Sequence, residues 1–205
     1  MRQIKKIPSK IPTFFHEYKG TAIPDVDVAG YRLVVEGEVS NRLVLTLAEL
    51  EEMAMATEVQ RRFYCVNGWS LSARWFGLEI RHVVQLVRPA AEARFLRATS
   101  IAGYEDTSSV HELVNGGAML VTRMNGEPLS PERGKPMRLM LFNKYQFRGV
   151  KALARIELVR EYRPGAWVKY GYTDSSIQPF PHLAIESGEY LMPDAELLNA
   201  FEPEE

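Results

Sequence analysis

Short runs rich in β-branched and aromatic residues recur along this chain, and each stops near a glycine, a proline or an Asn-Gly pair. Runs of roughly four to eight such residues between turn signals read as strands. On that reading Tyr31–Glu36, Thr57–Val66, Arg94–Ile101, Ala118–Met124, Met137–Phe142 and Val150–Val159 are strands, and Asn125-Gly126 turns the chain after the fourth. Helix signals are fewer. Thr46 and Glu49 stand in the S/T-x-x-E relation that satisfies free backbone donors at a helix start, so a short helix begins at TLAELEE. Gly77–Val87 sets Leu78, Val83, Leu86 and Val87 at helical spacing before Pro89, with His82 on the flank. Gly103–Ser109 reads as a polar loop. Strands and helices do not alternate and no segment repeats, which excludes Rossmann and barrel folds and predicts a mixed α+β domain.

Composition bounds the rest. A chain of 205 residues that is 46% hydrophobic has material for one core, so a single domain is expected over residues 31–205. Residues 1–30 read as an extended arm, because Pro8, Pro12 and Pro24 interrupt regular pairing. With 25 Lys+Arg against 26 Asp+Glu the net charge is −1, which argues against a general nucleic-acid binder. No apolar stretch approaches the roughly 18 residues that span a bilayer. The basic start MRQIKKIPSKIP lacks a secretory h-region and a twin arginine, so the expected location is the cytoplasm.

Two features could carry chemistry. One is Cys65, the single cysteine, at the end of the strand RRFYC and before an Asn67-Gly68 turn. A buried, inert small hydrophobe is the ordinary fate of a free cysteine. The alternatives are a metal ligand at the rim of a sheet, or a nucleophile paired with His16, His82, His111 or His182. Too few nitrogen and sulfur ligands cluster for a zinc site. The other feature is a basic segment in which Arg133, Lys135, Arg138, Lys144, Arg148 and Lys151 alternate with Gly134 and Gly149. Cations and glycine-lined amides can cradle a phosphate; the same run can equally be a solvated face.

The order and separation of YRLVVEGEV, TLAELEE, RRFYCVNGWS, WFGLEIRHVVQLVRP, MNGEPLSPERGKPMRLMLF and NKYQFRGVKALARIEL resemble the molybdopterin-binding domain of the sulfite oxidase superfamily. Within it, CVNGWS followed by WFG looks like the bacterial peptide-methionine-sulfoxide reductase branch. That resemblance implies a mixed-sheet α+β fold and a molybdopterin (Mo) cofactor, with Cys65 as the thiolate on the metal. It also implies cofactor contacts from Glu17 and Tyr18 in the arm, from Ser100, from Arg133 and Arg138, and from Gly149, Val150 and Lys151. Phe14 and Arg133 each stand where that branch has asparagine.

The reaction implied is two-electron oxygen-atom transfer on a small sulfoxide-like or other oxo substrate, with electrons exchanged with a separate haem, flavin or quinone protein. Sulfite oxidases commonly carry arginines just after the ligand cysteine, whereas Val66-Asn67-Gly68-Trp69 follows here, a neutral turn better suited to an uncharged substrate. Tyr104, Glu105 and Asp106, after the Ser100 strand, are the candidates for substrate contact. The competing readings are a non-catalytic protein of the same fold that holds molybdopterin or a phosphate-bearing ligand, and a sulfite-oxidising enzyme.

Overall fold

The computed structural model describes residues 25–193 except 54, 173, 175, 176, 178 and 179. Residues 1–24 of the arm, with His16, Glu17 and Tyr18, therefore lie outside the described residues. In chain order the elements are β1 (Leu33–Gly37), β2 (Leu43–Leu45), α1 (Leu47–Glu51), β3 (Thr57–Cys65), β4 (Trp69–Glu79), α2 (Ile80–Val87), β5 (Phe95–Ser100) and β6 (Glu105–Ser109). There follow α3 (Val110–Asn115), β7 (Met119–Met124), β8 (Glu127–Pro128), β9 (Arg138–Met140), β10 (Leu153–Val159), α4 (Ala166–Lys169), β11 (His182–Ala184) and β12 (Tyr190–Leu191). A 3-10 turn at Pro131–Arg133 precedes β9. The fold is mixed α+β, as the sequence predicts.

Two sheets share the work. One runs β2-β1-β10-β5-β6, with β1 and β10 parallel and the other pairs antiparallel. The second runs β12-β11-β4-β7-β8, with β3 added on β4 and β9 on β7. Alternation along β7 shows how the layers meet: Leu120 enters one core with Leu78, Leu96, Leu139 and Ile156, while Met119 and Val121 enter another with Phe63, Leu71 and Trp75. A strand apolar on both faces has to be covered on both faces. The second sheet is thus the middle layer, and Cys65 lies on its far side, packed against the smaller core.

Local signals hold where they are strong. The Thr46–Glu49 capping box forms, and Asn125-Gly126 closes a hairpin with Met124 opposite Glu127. Three expectations fail. The stretch assigned to one helix over Gly77–Val87 begins as strand, because β4 runs through Glu79 before α2 starts at Ile80. Gly77 lies so close to β7 that a Cβ there would stand 1.9 Å from the Leu120 carbonyl oxygen, an approach that only glycine permits. Gly77→Ala should cost about 3 kcal/mol, the upper end for overpacking, measurable as a lower urea midpoint with an unchanged slope. The polar stretch Glu105–Ser109 is strand β6 rather than loop, and pairs with β5 in register Arg97–Thr107. Finally, β9 and β10 are shorter than expected, since 141–152 is spent on irregular backbone that builds the site described next.

Candidate functional site

β3 and β4 form a hairpin in which Cys65 sits directly opposite Trp69, and the Gly68 amide donates to the Cys65 carbonyl at 3.0 Å. The sulfur is therefore at a strand end, half-buried, and in no disulfide. With a period of two, Phe63 shares the Cys65 face. Its ring lies 5.1 Å from that of Trp69, and the Arg138 guanidinium stands 5.9 Å from it on a cation–π contact. One aromatic ring thus separates the thiol's hairpin from the buried arginine.

Arg138 opens β9 and is 2% exposed; its Nη1 donates to the Arg133 carbonyl at 3.2 Å. Arg133, in the 3-10 turn, places its own Nη1 3.2 Å from the Met124 sulfur. The Ala152 amide donates to the Gly134 carbonyl at 3.1 Å, and the Ile101 amide to the Ala152 carbonyl at 2.8 Å. Ser100 lies opposite Leu153 on β5. Segments far apart in the chain, 100–101, 133–138 and 149–153, therefore lie side by side. A fourth link joins them to the cysteine strand: the Gln146 amide donates to the Tyr64 carbonyl at 3.2 Å. Ser100, Gly134 and the 149–153 segment are thus neighbours, Arg138 reaches the Phe63 ring of the cysteine strand, and Cys65 itself packs against the smaller core.

Individual roles differ from their sequence rationale. Gly149 makes room for the chain itself, since a Cβ there would stand 2.6 Å from the Leu139 carbonyl oxygen. Val150 is fully buried in the main core. The Ser100 hydroxyl accepts from the Tyr104 amide at 2.8 Å, closing the turn after β5. The basic segment is not a solvated face: Arg138, Lys144 and Arg148 are buried. Two of its cations serve the fold. Lys144 pairs with Glu112 at 3.2 Å, and burial lowers its pKa. Arg148 pairs with Asp106 at 2.8 Å and also with Asp174. Asp106 and Tyr104 are therefore not poised for a substrate; both are buried, and the Tyr104 hydroxyl donates to the Phe147 carbonyl.

The histidines separate cleanly. His111 is exposed beside Asn115, and His82 is half-buried on α2. His182 is fully buried, stacked on Phe180 at 4.6 Å and edge-on to Tyr64 at 5.2 Å, and burial lowers its pKa. Sequence reading missed two supports: Phe63, recoverable from its period-two relation to Cys65, and Gln146, for which no sequence signal exists.

The donor set fits a cofactor that brings most of a metal's ligands with it. Among the described residues no group of three or more His, Cys, Asp or Glu could hold a metal alone. What is present is one half-buried thiol, a soft ligand once deprotonated, and beyond Phe63 a buried guanidinium suited to an oxyanion. Gln146 Oε1, by the same backbone link, is buried and has no hydrogen-bond partner among the described residues.

Comparison with known proteins agrees. The family model described as oxidoreductase molybdopterin binding domain matches residues 20–167. The protein-methionine-sulfoxide reductase catalytic subunit of Campylobacter jejuni is 24% identical over 157 residues, covering 68% of this chain and 52% of that protein. Its counterpart in Burkholderia mallei is 27% identical over 155 residues, covering 68% and 47%. The chain thus spans about half the length of these curated relatives. Among solved structures, the sulfane dehydrogenase SoxCD of Paracoccus pantotrophus shares the fold with a TM-score of 0.62 at 18% identity, over 70% of this chain and 41% of that one. Because that family model spans residues 20–167, well over half the sequence, the chain belongs to the oxidoreductase molybdopterin-binding domain family.

Proposed function

We propose that the protein is a molybdopterin-dependent oxidoreductase that reduces a small, uncharged sulfoxide-like substrate, taking electrons from a separate haem, flavin or quinone protein. The observation that carries this is the Cys65 thiol, half-buried at the end of β3, the strand whose Phe63 ring carries buried Arg138. Cys65 would be the protein's ligand to the metal; Arg133, Arg138 and Lys151 would hold the pterin's phosphate end. Bound there, the cofactor supplies the two-electron redox chemistry. The substrate's S–O bond breaks, two electrons and two protons are taken up, and the sulfide and water leave. Selectivity rests on charge. Arg62, the nearest cation before the cysteine in β3, is held by Glu186 and donates to the Ser70 hydroxyl at 3.1 Å, so it is committed to the scaffold. A neutral Val66–Trp69 turn then faces the substrate, which disfavours a sulfite dianion. The relatives' designation as catalytic subunits supports a separate electron partner.

The test is molybdenum content and dye-driven turnover of protein made where molybdopterin is supplied. Near-stoichiometric metal, with reduction of methionine sulfoxide or dimethyl sulfoxide by reduced viologen, supports the reading. Sulfite oxidation at an ordinary enzymatic rate would overturn the substrate assignment, and absence of metal would overturn the cofactor assignment. Arg138→Gln should lower molybdenum per folded protein by about tenfold, the loss expected for one charge-assisted contact to a phosphate, while the retained fraction turns over normally.

A further inference from the structure

On the outer face of the five-stranded sheet, away from Cys65 and its core, α4 and the segment before it lean over β5 and β6. They enclose a cavity of about 420 Å³ whose lining includes Arg97, Thr107, Glu105, Arg163, Lys169 and Tyr170. Arg97 and Thr107 are direct cross-strand neighbours and form its floor. The Arg97 side chain is only 15% exposed, yet the carboxylate paired with it, Glu157, is 3.8 Å away, beyond hydrogen-bond distance. Glu157 is shared with Arg155 at 3.9 Å, and Arg97 Nε is buried without a hydrogen-bond partner among the described residues. A guanidinium has five N–H donors, and burying them unmatched is costly.

The walls repeat the imbalance. Arg163 and Lys169 are exposed and enter no ion pair among the described residues, so the lining holds three cations and one carboxylate, Glu105, which already accepts from the Thr99 hydroxyl at 3.2 Å, with Glu157 beside Arg97 the second acid. Behind the Gly165 wall lies Asp106, but its charge is matched by Arg148. A preformed cavity of this size, with convergent donors at its floor and an aromatic ring on its wall, has the make-up of a small-ligand site.

We propose that this cavity is a second binding site, separate from the one holding the cofactor, for a small organic oxyanion with at least two negative charges. Arg97 grips the anion from below, the Thr107 hydroxyl donates beside it, and Arg163 and Lys169 close over it. Phosphate esters and polycarboxylates share this chemistry, and the experiment separates them. Calorimetric titration of the cofactor-loaded protein with inorganic phosphate and with citrate, against chloride at matched ionic strength, should give saturable binding of one or both. Phosphate alone points to a phosphate ester, citrate alone to a polycarboxylate. Arg97→Gln should weaken that binding by about tenfold or more, as loss of a charge-assisted contact does. Because Arg97 is buried, Arg163→Gln and Lys169→Gln are made alongside it; each exposed variant should weaken binding measurably in a protein of unaltered circular dichroism. Arg138→Gln should leave it unchanged, which separates this site from the cofactor reading whatever the fate of that reading. Binding that chloride matches, that the three cavity variants leave intact, or that only Arg138→Gln removes would overturn the proposal.

Discussion

Under the proposed function Cys65→Ser should reduce sulfoxide turnover at least about a hundredfold, since even changes one shell outside a metal's ligands cost roughly ten- to a hundredfold. Serine differs by one atom, and at a half-buried position the fold should tolerate it. The chemistry does not tolerate it. A thiolate is soft and deprotonates readily near a cation, whereas a hydroxyl is a hard donor that holds its proton. Cofactor retention should fall much less if, as proposed, Arg133, Arg138 and Lys151 hold the cofactor from other segments. Metal content and turnover are therefore measured on the same preparation. Retained molybdenum with lost turnover and an altered metal spectrum is the expected pattern; wild-type turnover in the serine variant would remove Cys65 from the mechanism.

Arg148→Met should cost about 3–5 kcal/mol at pH 8, the range for removing one partner of a buried ion pair. Arg148 Nε donates to Asp106 at 2.8 Å, and its Nη2 donates to the Thr107 carbonyl at 2.6 Å and the Ser108 hydroxyl at 3.2 Å. Methionine fills similar volume but leaves Asp106 buried without its cation. Burial already pushes the Asp106 carboxyl up from 3.8 to about 6, against the pull of Arg148. A carboxyl whose folded pKa is raised stabilises the fold in its protonated state, and that contribution is lost as pH rises through the folded value. Without Arg148 the value rises further. The penalty of Arg148→Met should therefore shrink as pH falls from 8 to 5, where Asp106 becomes neutral. Urea unfolding at the two pH values checks this; an equal loss at both would show that packing, not charge, dominates.

The same arginine explains why β6 is invisible in the sequence. Glu105–Ser109 has none of the β-branched and aromatic pattern of a buried strand except Thr107, yet Asp106, Thr107 and Ser108 are buried. Asp106 Oδ1, the Thr107 carbonyl and the Ser108 hydroxyl all accept from a side chain some forty residues later, and no local pattern encodes that. β4 was obscured differently: Leu78, Val83, Leu86 and Val87 keep helical spacing, but the pairing of Leu78 with Leu120 draws the first of them into a sheet. Long-range pairing outweighs local periodicity where both apolar faces can be buried.

Strong local chemistry was legible from the residues alone. The capping box at Thr46, the Asn125-Gly126 hairpin and the Cys65 strand end each depend on neighbours within a few positions, so the sequence by itself determined them. The mixed α+β class followed from the strand pattern, and the molybdopterin family from the order of its motifs. The tertiary structure decided which partners each cation meets. In sequence Arg138, Lys144 and Arg148 are equivalent members of one basic run. Folding spends Lys144 on Glu112 and Arg148 on Asp106, sets Arg138 over the Phe63 ring, and leaves Arg97, from a different strand, beneath a cavity of its own. Charge is a property of the residue, but its availability depends on which acids the packed chain brings within hydrogen-bond reach, and only the folded coordinates contain that information.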